Sequence, residues 1–425
     1  MDENIIEYEL VFMYNYLYEI EVVYKMKLVQ GGVTAPIGYF ATGVASGIKK
    51  DNQPDLSIVC SEDTAVAAGV FTQNKVKGHS LQLTMNHIKN GYASAVVINS
   101  GNANACVGPK GYEDALEIAS TVAEMMDLEP EDILVGSTGV IGKPLDMEKI
   151  KPALEELINN MHPEGGPEAA RAIMTTDTYP KEVSVQTEIN GKTVTIGGMA
   201  KGSGMIHPNM ATMIGVITTD ANVSKSVLQK ILTTCTEKTF NRISVDGDTS
   251  VCDMVIALAN GLAENEKIDE GSKAYNLFYQ AFLYVCTELS KMIVKDGEGA
   301  TKLVEIKVSG AKTAQDAKAA AFAIAKSPLV KTAIFGQDAN WGRIITALGY
   351  SEAEFDPERV DIFIGDLPVC KAGAAVPFDE DKALEILKQD EVTLSVKLNA
   401  GKFGDRVWTC DFSYDYIKIN ASYRS

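Results

Sequence analysis

Thr212 is the residue in this chain with the most chemistry open to it. It follows Ala211 in the segment Lys201-Gly-Ser-Gly-Met-Ile-His-Pro-Asn-Met-Ala-Thr-Met-Ile214 and opens an apolar, β-branched run. A threonine hydroxyl is a weak nucleophile unless a base stands beside it. Cutting the Ala211–Thr212 bond would supply that base, because a free α-amino group titrates at roughly 7.7–8.0 and is partly neutral near pH 7. The Oγ would attack the Ala211 carbonyl, an N→O acyl shift would follow, and water would release the ester. The freed threonine would then take acyl groups from substrates. Pro208 and Asn209 can hold a tight turn that strains the bond. Gly202 and Gly204 allow close backbone approach. Without that context, a threonine at a strand start is an ordinary strand residue.

Acyl transfer needs donors aimed at the developing oxyanion. In Val135-Gly-Ser-Thr-Gly-Val140 the Thr138 hydroxyl and the Gly139 amide qualify, although the plainer reading is a strand-end turn. Glu298, between Gly297 and Gly299, is an acid on a loop that can approach a ligand; it suits a substrate ammonium or a proton relay, or else it is a solvated residue in a helix-ending turn. Thr175 or Thr176, together with Lys201, suits an α-carboxylate. The bland alternative makes 175–178 a loop cluster and Lys201 a surface residue. Asp246 and Asp248 lack EF-hand spacing, and no Walker A, G-x-G-x-x-G or G-x-S-x-G motif occurs.

Composition narrows the classes. At 425 residues, with 46% hydrophobic and 23% charged, the chain has the make-up of a globular protein with room for two or three domains. A net charge of −18 argues against nucleic acid and against anionic membrane surfaces. Seven scattered cysteines without C-x-x-C argue for reduced thiols in a cytoplasm, and four dispersed histidines suggest no metal site. Residues 1–25 carry five tyrosines with glutamates interspersed; they resemble neither a secretory signal nor a membrane span, and the expectation is either that Met26 is the true start or that 1–25 is a peripheral extension.

The elements that must position these groups alternate. Strands are expected at 65–71, 95–100, 212–218, 252–259, 303–308, 333–335, 360–364, 392–398, 407–412 and 416–419. Helices are expected at 112–126, 146–161 (N-cap Asp146), 223–240, 274–294, 314–326 and 380–389. Val and Thr alternation at 182–189 and 192–197 around Asn190-Gly191 predicts a β-hairpin. Hairpins interrupting the alternation favour layered mixed sheets over a doubly wound parallel fold. A boundary is expected near 300.

The long motif from Lys201 to Met213 closely resembles that of the glutamate N-acetyltransferase / ornithine acetyltransferase family of arginine biosynthesis. The resemblance runs from about residue 28 to 425. It includes Ser100-Gly-Asn-Ala-Asn104, Gly136-Ser-Thr-Gly139, Met174-Thr-Thr-Asp-Thr178, Val245-Asp-Gly-Asp-Thr249, Gly336-Gln-Asp-Ala-Asn-Trp-Gly-Arg343 and the Asn420–Ser425 tail. It implies an α/β (α+β) fold: a layered αββα sandwich of the self-processing N-terminal-nucleophile type with a smaller C-terminal α/β domain. Cleavage between Ala211 and Thr212 would divide the chain into 26–211 and 212–425, in which 212–300 completes the catalytic layers and 301–425 forms the C-terminal domain. The halves would remain together as a heterotetramer. Thr212 would carry acetyl from N-acetylornithine to glutamate, with acetyl-CoA a further donor in some members. Thr138 and Gly139 would form the oxyanion hole. Thr175, Lys201, Thr212, Glu298, Asn420 and Ser425 would line the substrate site; family members often end in Thr where this chain has Ser425. No metal or prosthetic group is implied. An N-terminal-nucleophile aminopeptidase or amidase would use the same threonine but pass the acyl group to water, and a binding protein would never cleave.

Overall fold

The computed structural model describes residues 26–207 and 213–422. The larger of its two sheets has nine strands: β1 (Lys27–Val29), β2 (Tyr39–Val44), β3 (Leu56–Phe71), β4 (Tyr92–Asn102), β5 (Ile133–Val140), β6 (Lys181–Ile189), β7 (Lys192–Lys201), β8 (Ile214–Thr219) and β10 (Met254–Ala259). They pair in the order β1-β6-β7-β8-β10-β3-β4-β5, with β2 also on β3. The Asn-Gly turn forms as expected: Asn190 and Gly191 both adopt positive φ, 51° and 77°, which matches the twist of the flanking strands.

β3 is the pivot. Its 16 residues serve both halves of the sheet, and its register with β4 breaks between Cys60 and Ala65. A break of this kind bends a strand. Although β3 and β4 separate β10 from β5 in the sheet order, a Cβ on Gly136 of β5 would overlap the Met254 side chain of β10. The sheet therefore folds back on itself, and its halves pack face to face. Val59, Val96, Ile98 and Leu134 meet Ile214, Val216, Met254 and Ile256 in the core between them.

Helices cover the outer faces. α2 (Lys110–Met126) and α3 (Met147–Asn159) pack on the β4–β5 side, and α5 (Lys225–Lys238) and α6 (Lys273–Lys295) on the β6–β10 side. Phe278, Phe282, Val285, Cys286, Leu289 and Ile293 form one helical stripe on α6, which buries that face. The result is an αββα sandwich. Two short helices, α1 (His79–His87) and α4 (Gly166–Ala172), escaped the sequence pattern. α1 closes the free edge of β5: Thr84 Oγ1 donates to the Val135 carbonyl at 2.8 Å and accepts from its amide at 2.7 Å, and His87 Nδ1 lies 2.8 Å from the Ile133 carbonyl.

The second sheet has seven strands: β9 (Ile243–Ser244), β11 (Leu303–Ala311), β12 (Asp361–Ile364), β13 (Leu367–Lys371), β14 (Ala374–Ala375), β15 (Glu391–Lys397) and β16 (Phe403–Cys410). α7 (Ala314–Lys326), α8 (Pro328–Phe335) and α9 (Trp341–Gly349) share a core with one of its faces, while Lys307 and Ser309 of β11 point to solvent. α10 (Glu380–Leu387) and α11 (Tyr414–Ala421) complete this region. β9 comes from before residue 300, so the sheet straddles the expected boundary.

Two strand expectations are corrected. Residues 333–335 end α8, because Ser327 caps that helix by accepting from the Val330 amide and Pro328 occupies its first turn. Residues 416–419 lie in α11, whose Ser413 cap accepts from the Asp415 amide. β-branched runs this short do not distinguish strand from helix; the caps decide.

Replacing Thr84 with Val leaves both backbone groups of Val135 without their partner. Unsatisfied buried groups cost about 1–3 kcal/mol each, so urea denaturation of T84V should show a loss of at least about 1 kcal/mol. An unchanged midpoint would show that the β5 edge does not need this cover.

Candidate active site

β7 ends at Lys201, whose side chain is 8% exposed. Its ammonium donates to Thr175 Oγ1 at 2.7 Å and lies 3.8 Å from Asp177. The surface reading of Lys201 is therefore overturned. Asp177 organises the turn: Oδ2 accepts from the Thr175 amide at 2.9 Å, and Oδ1 accepts from the Gly202 amide and Lys181 Nζ, both at 2.7 Å. Lys181 is fully buried and also donates to Asp296 at 2.6 Å. Asp296 in turn accepts from the Thr178 amide and hydroxyl. Burial opposes the charge on Asp177, but Lys201 and Lys181 outweigh it and hold its carboxyl well below the usual range.

The same turn sets the opposite wall. Ser203 Oγ donates to the Asp296 carbonyl at 2.7 Å, and the Glu298 amide donates to the Ser203 carbonyl at 3.1 Å. Glu298 is only 6% exposed, and its Oε2 accepts from Asn420 of α11 at 2.7 Å. A Cβ on Gly204 would overlap the Glu298 carboxylate, so this glycine is what lets the acid close on the Lys201–Gly204 segment.

Thr138 and Gly139 sit at the tip of β5, paired with Ser100 and Gly101 of β4. Gly139 has φ of 132°, and a Cβ there would overlap the Gly101 backbone. A polar network behind this tip was missed at the sequence level. Ser137 Oγ donates to Asn99 Oδ1 at 2.5 Å and lies 2.7 Å from Ser80 Oγ. Asn104 reaches Ser80 and the Gly111 carbonyl, and Asn99 Nδ2 donates to the Asn102 carbonyl. The Ser100–Asn104 motif was the available signal, because buried amides at that density need partners.

These groups converge on one cleft of about 260 Å³. Thr138, Gly139, Thr175, Thr176, Lys201, Glu298 and Asn420 all line it, as does Met213 at the start of β8. Thr175 is the threonine bonded to Lys201. Asp253 and Cys252, which sequence reasoning did not select, also face the cleft. Ala211, Thr212 and Ser425 lie outside the described residues. The arrangement offers an ammonium for a carboxylate, a carboxylate for an amine, and a strand tip that can hold an oxyanion. Asp246 accepts from the Met205 and Ile206 amides, a structural use for a residue considered for metal.

Lys181→Met leaves Asp177 and Asp296 buried without their shared cation, and breaking a buried pair in this way costs about 3–5 kcal/mol. A loss below about 1 kcal/mol in urea would contradict the importance of the network. Asp177 has a depressed folded pKa, so its contribution is complete above the unfolded carboxylate value of about 3.9 and is lost as pH falls towards the folded value. Stability from this group should be level from pH 7 to about 5 and decline below about 4. Gly204→Ala should displace Glu298 and lower kcat/KM at least about tenfold while sparing most of the stability; wild-type kinetics would refute the steric account.

The ArgJ family matches residues 40–425. The arginine biosynthesis bifunctional protein ArgJ of Caldanaerobacter subterraneus is 51% identical over 404 residues, covering 94% of this chain and all of that relative. Among solved structures, the arginine biosynthesis bifunctional protein argJ of Bacillus halodurans is 48% identical, with a TM-score of 0.47, covering 48% of this chain and 96% of that one. The ornithine acetyltransferase of Mycobacterium tuberculosis, complexed with ornithine, is 41% identical with a TM-score of 0.41, covering 43% of this chain and 98% of that one. With a match over residues 40–425 and half of the aligned residues shared with a relative that it covers from end to end, the chain belongs to the ArgJ family.

Proposed function

We propose that this chain is an acetyltransferase of arginine biosynthesis that moves acetyl from N-acetylornithine to glutamate through an acetyl-threonine on Thr212. The supporting observation is one cleft that gathers Thr138, Gly139, Thr175, Lys201, Glu298 and Asn420 beside Met213, the chain neighbour of Thr212. Relatives named bifunctional proteins of arginine biosynthesis, and a relative named ornithine acetyltransferase, support the same reading.

The precursor cuts itself between Ala211 and Thr212, and the new α-amine serves as the base. Thr212 Oγ attacks the acetyl carbonyl while that amine takes the hydroxyl proton. The oxyanion is held by the Thr138 hydroxyl and the Gly139 amide. The C–N bond breaks, the proton passes to the leaving amine, and ornithine departs. The neutral amine of glutamate then attacks the ester, N-acetylglutamate leaves, and the proton returns to Thr212. Both substrates carry an α-carboxylate, which Lys201 binds beside Thr175. Glu298, held by Asn420, binds the amine end and handles its proton, and Ser425 adds a hydroxyl. Every step uses side chains and backbone donors of this chain, with no metal or prosthetic group. Lys201 and Glu298 are 7% and 6% exposed, and transfer to an amine instead of water requires a site shielded in this way.

Acetyl-CoA is the proposed second donor, entering at the same threonine. The processed halves assemble as a heterotetramer in the cytoplasm. The seven free cysteines, six of them buried, suit a reducing compartment. Among the described residues no helix is long and apolar enough to cross a membrane.

Thr212→Ala should remain a single chain on a denaturing gel and transfer no acetyl; wild-type turnover in that variant would end the proposal. Initial rates with N-acetylornithine and glutamate should give parallel double-reciprocal lines, the pattern of a shared acetyl-enzyme, whereas intersecting lines would indicate a ternary complex. Lys201→Met should raise KM for glutamate about 10- to 100-fold, the worth of a charge-assisted hydrogen bond.

A further inference from the structure

The Val245–Thr249 motif carries no step of the reaction, yet it meets the cleft at its amine-binding end. Asp246 follows β9 and reaches across to the segment that leaves β7. Its Oδ2 accepts from the Met205 amide at 2.6 Å, and its Oδ1 accepts from the Ile206 amide at 2.9 Å and from the Asp248 amide at 3.2 Å. The Val245 amide donates to the Ile206 carbonyl at 2.7 Å, and Thr249 Oγ1 donates to the His207 carbonyl at 3.0 Å. Met205 is held at φ of 56°, a left-handed conformation that a methionine rarely adopts unless its surroundings impose it.

The chain positions so fixed are not remote. Gly204 and Met205 both line the cleft, and Gly204 lies flat against the Glu298 carboxylate. Asp246 also faces α11: the Tyr416 phenol lies close to the carboxylates of Asp246, Glu298 and Asp248, and burial together with those charges pushes it up and keeps it protonated. Tyr416 is clamped by stacking on Phe412 at 4.7 Å. One helical turn later Asn420 donates to both the Tyr416 carbonyl, at 3.0 Å, and Glu298, at 2.7 Å. Asp246 thus touches two of the three segments that hold Glu298 in place, and the third is the 296–299 turn itself.

We infer that Asp246 is a positioning residue for the amine-binding end of the cleft. It fixes the Gly204–Ile206 wall and the Tyr416 face of α11 in the one arrangement that closes both on Glu298. It touches no reacting atom. Its loss loosens the grip on the amine-bearing end of a substrate while leaving the strand tip of Thr138 and Gly139 as it was.

The inference rests on the acetyl-transfer reading, and the test separates the two. Asp246→Asn keeps the shape but replaces one acceptor oxygen with a donor, so one of the bound amides loses its partner. In the full-length protein, ornithine binding followed by calorimetry should weaken about tenfold, and KM for glutamate should rise by a similar factor with kcat within about threefold. Asp246→Glu, which restores both acceptor oxygens, should recover part of the loss. Ornithine affinity and KM both at wild-type values would overturn the inference, and so would a fall in kcat with KM unchanged. If Asp246→Asn yields no folded protein, Tyr416→Phe probes the same joint: weaker ornithine binding supports the inference, and unchanged binding overturns it. Failure of the wild-type protein to transfer acetyl would instead defeat the reaction proposal.

Discussion

Lys181 is out of reach of water, with its ammonium 2.7 Å from Asp177 and 2.6 Å from Asp296. Desolvating a lysine and two carboxylates is costly, and the arrangement stands only because every charge is shared. Asp177 is satisfied by Lys181, Lys201 and two backbone amides, and Asp296 by Lys181 and Thr178. This cluster joins three pieces of chain distant in sequence: residues 175–181, which lead into β6, the Lys201–Ser203 segment that leaves β7, and the end of α6. It thereby sets where Lys201 and Glu298 stand, because Gly202 and Ser203 hang from Asp177 and Asp296. The opposing charges of the cleft are products of one buried network.

Two glycines translate this frame into a usable cavity. At Gly139 a side chain would strike the neighbouring strand, and at Gly204 it would displace Glu298. Both line the cleft, one beside the strand tip that would hold an oxyanion and the other beside the acid that would hold an amine. That they share one cleft depends on the bent sheet. β3 turns the β4–β5 half over the β8–β10 half, so the tip of β5 arrives beside the start of β8. Thr138 and Met213 face the same space for that reason.

Much of this was legible in the sequence where the signal is local. The Asn190-Gly191 hairpin, the apolar stripe of α6 and the Ala-rich α7 all form where the pattern places them. The chemistry of Thr138, Gly139, Thr175, Lys201 and Glu298 suits the cleft, but plainer readings of each were open, and it was the resemblance to the acetyltransferase family that singled them out and alone brought in Asn420. What escaped depends on contacts distant in sequence. Nothing local singles out Lys181, whose role appears only when Asp296, more than a hundred positions away, is brought against it. The bend in β3 arises from a register break that no composition signals. Residues 333–335 and 416–419 were read as strands because runs of three or four residues are too short to show a period, and the serine caps outweighed them. Asp246 was weighed for metal, whereas its oxygens are occupied by backbone amides.

The acetyl group on Thr212 is the claim on which the rest converges. Mixing the purified protein with N-acetylornithine in the absence of glutamate, quenching in acid and weighing the denatured chains would test it directly. The account predicts two chains, with one acetyl group on the N-terminal peptide that begins at Thr212, lost again when glutamate is added before the quench. A single uncut chain, or two chains with no acetyl group on that peptide, would contradict it.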